Sequence, residues 1–143
     1  MQSDLIEFED SFAKFANSNY ALGVANGTDA MELALIAIGM NPGDEVIICS
    51  HTMVATASAI ITAGGVPVPV ELGYDNLIDP QAIEDAITPN TVGIMPTQLN
   101  GRTCNMDAIQ LIANKHGLFI VEDSAQALGS RFKGQHAGTF GLA

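Results

Sequence analysis

Apolar and polar positions along this chain change period several times, and each change marks an element. Leu5, Phe8, Phe12 and Phe15 recur at helical spacing, and Asp4 with Glu7 forms the capping box expected at the start of such a helix. Residues 20–25 then read as a strand. Asn26-Gly27-Thr28-Asp29 is a turn that opens a helix over residues 30–38, which Gly39 stops. After the turn Asn41-Pro42-Gly43-Asp44, Glu45–Cys49 is a short, continuously apolar strand of the buried type.

The pattern then repeats. Residues 53–63 predict a helix ended by Gly64-Gly65, and Val66–Val70 a strand. Pro67 and Pro69 deny that strand a full ladder, which places it at an edge or pairs it on one side only. Asp79 caps a helix over residues 80–87, with Pro80 at its first position. Thr91–Met95 is a strand, Asn105 caps a helix over Met106–His116, and Gly117 closes it. Residues 118–121 form the last strand and end in Glu122-Asp123. Beyond Gln126 the periodicity dissolves among Gly129, Gly134, Gly138 and Gly141.

Strands separated by helices predict right-handed crossovers, and so an α/β fold with a mainly parallel sheet between two helical layers. Residues 1–143 carry no internal repeat, linker or low-complexity stretch and suit one domain. Hydrophobic residues make up 48% and charged residues only 15%, in keeping with a sheet covered on both faces or with surface that meets further chain or a partner. The net charge of −11 argues against nucleic acid, and no basic stripe suggests a membrane surface. The start of the chain, acidic and without an apolar run, does not read as a signal peptide. Cys49 and Cys104 form no disulfide framework, so a reduced cytoplasmic setting is expected.

Ligands of parallel sheets lie beyond the carboxyl ends of the strands. Those ends are Asn26-Gly27-Thr28, Ser50-His51-Thr52, Pro96-Thr97-Gln98 and Asp123-Ser124-Ala125-Gln126. Gly27 and Thr28 open a helix whose free amides and dipole favour an anion such as phosphate, and the competing reading is that Thr28 or Asp29 caps its own helix. Asp123 ends a strand and suits a cationic ring nitrogen, or is a solvated capping acid. Gln126 offers a donor and an acceptor, or is a plain loop residue. Met53 can lie against a flat ring, or fill the core. Cys49, His51, Cys104, His116 and His136 lack the spacing of a metal site. The sequence has no G-x-G-x-x-G fingerprint after the first strand, no P-loop and no G-x-S-x-G elbow.

Six blocks in order resemble the DegT/StrS family of pyridoxal-phosphate-dependent sugar aminotransferases. They are Val24-Ala25-Asn26-Gly27-Thr28-Asp29-Ala30, Pro42-Gly43-Asp44-Glu45-Val46-Ile47, His51-Thr52-Met53-Val54-Ala55-Thr56-Ala57, Ile87-Thr88-Pro89, Met106-Asp107-Ala108-Ile109 and Val121-Glu122-Asp123-Ser124-Ala125-Gln126-Ala127. The resemblance runs from Phe8 to Gly141. It implies the large domain of a type I fold, with residues 1–143 forming only part of it. It implies pyridoxal 5′-phosphate as cofactor, with Gly27 and Thr28 on its phosphate, Asp123 on its pyridine nitrogen and Gln126 on its ring hydroxyl. Met53 stands where the family usually stacks an aromatic ring.

By the same resemblance the substrates are a nucleotide-linked keto sugar and an amino acid donor such as glutamate, and the complete protein is a homodimer. Gln98 and Asn100 stand where family members often show histidine and tyrosine, a difference expected to alter donor or substrate contacts. The family lysine that joins the cofactor belongs to a Ser-Phe-x-x-x-Lys-like block, which Lys14, Lys115 and Lys133 do not match. A chain without it is expected to be inactive alone. A non-catalytic binding module and a nucleotide-binding Rossmann domain are the alternative readings.

Overall fold

The structure is a computed structural model describing residues 2–143; Met1, the first residue of the acidic start read above, lies outside them. The elements in chain order are α1 (Gln2–Ala16), α2 (Gly27–Ile38), β1 (Glu45–Cys49), α3 (Val54–Thr62), β2 (Val66–Val70), α4 (Pro80–Ala86), β3 (Thr91–Met95), α5 (Met106–His116), β4 (Phe119–Ile120), β5 (Arg131–Phe132) and β6 (Gln135–His136). The main sheet has the order β2-β1-β3-β4 and every pair in it is parallel. Pro67 and Pro69 fall on β2, which pairs only with β1 and so occupies the edge their missing N–H groups require.

Side-chain alternation divides the core into two layers. Val46, Ile48, Met95 and Val121 point to the face covered by Met31 and Leu35 of α2 and by Ala59 and Ile60 of α3. Ile47, Cys49, Ile94 and Ile120 point to the opposite face, against Ile83 of α4 and Met106, Ile109 and Ile112 of α5. Both faces are therefore apolar, which is why the strands read as continuous hydrophobic runs. Phe119 of β4 lays its ring over Gly93, its partner on β3. A Cβ on Gly93 would fall 2.1 Å from the ring of Phe119, so only glycine fits opposite that aromatic.

Helix ends follow their caps. Asn26, Asp79 and Asn105 accept backbone N–H groups of the turns they start, from Asp29, Gln81 and Ala108. Gly39 and Gly117 end α2 and α5 in the left-handed conformation that favours glycine. Among the described residues no helix is long and apolar enough to cross a membrane.

Several expectations change. Residues 20–25 form no strand. Tyr20 and Leu22 are 88% and 81% exposed, and no described strand lies beside them to complete a ladder. Helix α1 starts before Asp4, which therefore sits in the first turn rather than at the cap. Its aromatic stripe is largely exposed, and Ala13 and Ala16 make the buried contact instead. The α2 cap is Asn26, not Thr28 or Asp29. The predicted strand over 118–121 is regular only at Phe119–Ile120. Past Gln126, β5 and β6 form an antiparallel hairpin. Its two turn residues, Lys133 and Gly134, both have positive φ, as a type I′ turn requires.

Candidate functional site

The carboxyl ends of β1, β3 and β4 and the N-termini of α2 and α3 meet at one edge of the sheet. Gly27, Thr28, Met31, Met53, Ala55, Thr97, Asp123, Ala125 and Gln126 wall a cavity of about 190 Å³ there. Gly27, Thr28, Met53, Asp123 and Gln126, taken from the sequence separately, thus share one small space.

At one end is the start of α2. Asn26 Oδ1 accepts the Asp29 N–H at 2.9 Å, and the Ala30 N–H begins the helical ladder on the Asn26 carbonyl at 3.1 Å. The amides of Gly27 and Thr28 come before that ladder, which leaves them and the positive end of the helix dipole for an anion. A Cβ on Gly27 would meet only Ala125 Cβ, at 4.0 Å, an ordinary van der Waals contact across the gap.

At the other end is Asp123, only 6% exposed. The strand end is held by Asp123 N–H on the Pro96 carbonyl at 3.0 Å and Gln98 N–H on the Asp123 carbonyl at 2.9 Å. Thr56 Oγ1 donates to Oδ2 at 2.6 Å, and the Ala125 amide donates to Oδ1 at 3.3 Å. No ion pair reaches this carboxylate among the described residues. A carboxylate so deep in protein, held only by neutral donors, is matched to a cationic ligand group.

Met53 is the N-cap residue of α3 but makes no side-chain capping bond, and the residue is 62% exposed at the cavity rim. Gln126 Oε1 accepts the Asn100 amide at 3.2 Å, which leaves its Nε2 hydrogens free for a ligand oxygen. Asn100 itself is exposed with φ 55°.

Gln98 departs from the contact expected of it. It is fully buried and outside the cavity wall, with Nε2 donating to Glu122 Oε2 at 2.7 Å and Oε1 accepting the Cys104 amide at 2.7 Å. Sequence reasoning placed Thr52 and Thr97 at the ligand edge without giving them a role, and passed over Thr56. The signal was present: Thr56 is a hydroxyl inside the apolar run 53–63, four residues after Thr52 at the strand end.

The other titratable groups do not compete for the chemistry. Burial pushes the Cys104 thiol up to about 12 and raises that of Cys49, so neither supplies a thiolate nucleophile. Lys14, Lys115 and Lys133 are absent from the cavity wall, and among the described residues no cluster of His, Cys, Asp and Glu could hold a metal. A larger cavity of about 590 Å³ lies between α1, residues 20–24 and the C-terminal loop. Its walls are mainly apolar side chains such as Phe8, Phe12 and Leu22, and neither the α2 start nor Asp123 lines it.

A parallel three-layer α/β domain with an open helix start and a buried acid at one sheet edge is the class these observations define. The chain belongs to the DegT/DnrJ/EryC1/StrS aminotransferase family, whose model matches residues 3–143. It is 46% identical over 136 residues to the dTDP-3-amino-3,4,6-trideoxy-alpha-D-glucose transaminase of Streptomyces venezuelae, covering 94% of this chain and 36% of that protein. It is 40% identical over 138 residues to the GDP-perosamine synthase of Caulobacter vibrioides, covering 96% and 37%. Among solved structures it superimposes on NtdA of Bacillus subtilis with bound cofactor PMP, with a TM-score of 0.88 and 39% identity, covering 93% of this chain and 31% of that one. The chain thus spans about a third of the length of these relatives.

Proposed function

We propose that the cavity at the sheet edge binds pyridoxal 5′-phosphate, and that residues 1–143 are part of the cofactor-binding large domain of a sugar aminotransferase. The carrying observation is the juxtaposition of an open helix start at Gly27-Thr28 with the buried, cation-free Asp123 across a cavity of about 190 Å³. The Gly27 and Thr28 amides and the Thr28 hydroxyl would hold the phosphate. Asp123 would keep a proton on the ring nitrogen, Gln126 Nε2 would donate to the ring hydroxyl, and Met53 would cover one ring face.

When bound, this cofactor supplies an electron sink for breaking a bond at the donor carbon. The protein side of that chemistry is electrostatic: the Asp123 carboxyl group at the nitrogen end and the α2 amides at the phosphate end would hold the ring between two opposite fields.

For the whole protein we infer amino transfer from an amino acid such as glutamate to a keto group of a nucleotide-linked sugar. The similarity to a dTDP-sugar transaminase and to a GDP-perosamine synthase supports that substrate class and leaves the nucleotide open. The two buried free thiols suit a reducing cytoplasm. Exposed Leu5, Phe8, Leu33, Ile36 and Val54 suit a homodimer, since such surface favours burial against a second copy.

Equilibrium dialysis of the chain against pyridoxal phosphate tests the cofactor reading. Saturable binding, displaced by inorganic phosphate and weakened about tenfold or more by Asp123→Ala, is the expected result, from the strength of a hydrogen bond to a charged group. Binding that does not saturate, or that ignores Asp123→Ala, overturns it.

A further inference from the structure

Three threonine hydroxyls lead to Asp123 from two neighbouring strand ends. Thr97 follows β3, Thr52 follows β1, and Thr56 lies in the first turn of α3. Thr97 Oγ1 is 2.8 Å from Thr52 Oγ1, Thr52 Oγ1 is 2.6 Å from Thr56 Oγ1, and Thr56 Oγ1 is 2.6 Å from Asp123 Oδ2. Thr56 is fully buried and Thr97 is 3% exposed.

Elementary bookkeeping of protons gives this chain a direction. An ionised carboxylate only accepts, so Thr56 must donate its single hydroxyl proton to Asp123. Thr56 can then only accept from Thr52, and Thr52 in turn only from Thr97. Each donor is polarised by the one behind it, which strengthens the last bond in a medium of low dielectric.

The same arrangement fixes Asp123 in rotation. Oδ2 is tied to α3 through Thr56, and Oδ1, with only a long bond from the Ala125 amide at 3.3 Å, is the oxygen left with acceptor capacity.

We infer that Thr56, backed by Thr52 and Thr97, is a positioning residue that holds the Asp123 carboxylate in one rotamer with one oxygen free for the cationic nitrogen of the ligand. The inference rests on the reading of Asp123 given above. It goes beyond that reading by assigning a role to three residues outside the expected contact set. Thr97, which also lines the cavity, starts the relay at the wall where Asp123 ends it.

The test uses the chain with Thr56→Val, which keeps the shape and removes the hydroxyl, and Thr56→Ser, which restores it. Without ligand, side-chain NMR couplings of Asp123 should report a single rotamer in the parent chain and in T56S, and rotamer averaging in T56V. With ligand, pyridoxal phosphate affinity should fall about tenfold in T56V and recover in T56S, with a shifted absorption band in T56V. Inorganic phosphate affinity should stay unchanged, because its amides belong to α2.

A single Asp123 rotamer in T56V overturns the positioning role whether or not cofactor binds. A freed rotamer in T56V, in a chain that binds no pyridoxal phosphate, upholds the positioning role and instead removes the reading of the site. Should T56V fail to fold, Thr52→Val at the partly buried Thr52 breaks the relay one step back and is read by the same couplings.

Discussion

Residues 45–49 and residues 20–24 are both short apolar runs, yet the first is walled in and the second lies open. Val46, Ile47 and Ile48 are at most 3% exposed, with β2 and β3 as ladder partners and a helical layer on each face. Tyr20 and Leu22 have no ladder partner among the described residues and are more than 80% exposed. Both runs carry β-favouring residues. The difference teaches that composition gives a segment its period, while neighbours on both edges and both faces decide whether the period is used.

The largest expected effect breaks the comparison at its buried end. Ile47→Ala removes side-chain volume from the middle of the sheet and should cost about 2–5 kcal/mol in urea unfolding. Leu22→Ala, made in the open run, should stay within about 0.5 kcal/mol of the parent chain. Similar losses from the two changes would mean that residues 20–24 are buried in solution after all.

Legibility followed the same division. The limits of β1, β2, β3 and α5 were readable because punctuation and burial agree there: Pro42-Gly43, the prolines of β2, Asn105 and Gly117 sit where the backbone needs them. The convergence of Gly27, Thr28, Met53, Asp123 and Gln126 on one cavity was readable too, since parallel topology sends every strand end to the same edge. The strand expected at 20–25 failed because a ladder is a non-local property. Gln98 shows a related limit. A polar residue next to a strand end looks like a ligand contact, and only the coordinates reveal that its amide is spent on Glu122 and Cys104. Asn26 was hidden beside two polar neighbours, Thr28 and Asp29, either of which has the chemistry of a cap.

A smaller effect sharpens the comparison at Glu122, where the core meets the C-terminal flank. Unlike its neighbour Asp123, Glu122 is saturated by protein: Gln98 Nε2 at 2.7 Å, and the amides of Gly138, Phe140 and Gly141 at 2.8, 2.6 and 3.2 Å. It is 7% exposed and pins residues 138–141 to the sheet without a cation. Glu122→Gln turns one acceptor toward those donors into a donor and should cost about 1–3 kcal/mol, with faster amide exchange at 138–141. Unchanged exchange there would mean that the flank is held by its apolar contacts, such as Phe140 against Phe132, and not by the carboxylate.

The smallest expected effect lies on the outer surface of α4 and α5. Glu84 receives a hydrogen bond from Lys115 and another from His116 Nε2 at 3.0 Å. The Lys115 bond, then the His116 bond, hold the Glu84 carboxyl below its ordinary 4.5. A carboxyl lowered by folding contributes stability that is fully present above the unfolded value. That contribution fades as pH falls through the lower folded value, where the native state also takes up the proton. Glu84→Gln should therefore lower the urea midpoint slightly at about pH 6, and the difference from the parent chain should shrink steadily as pH falls below the ordinary 4.5. Added salt should shrink the difference at the higher pH, because an exposed pair of this kind is screened. If the two chains still differ at the acid end, packing of the Glu84 stem, rather than its charge, joins the two helices.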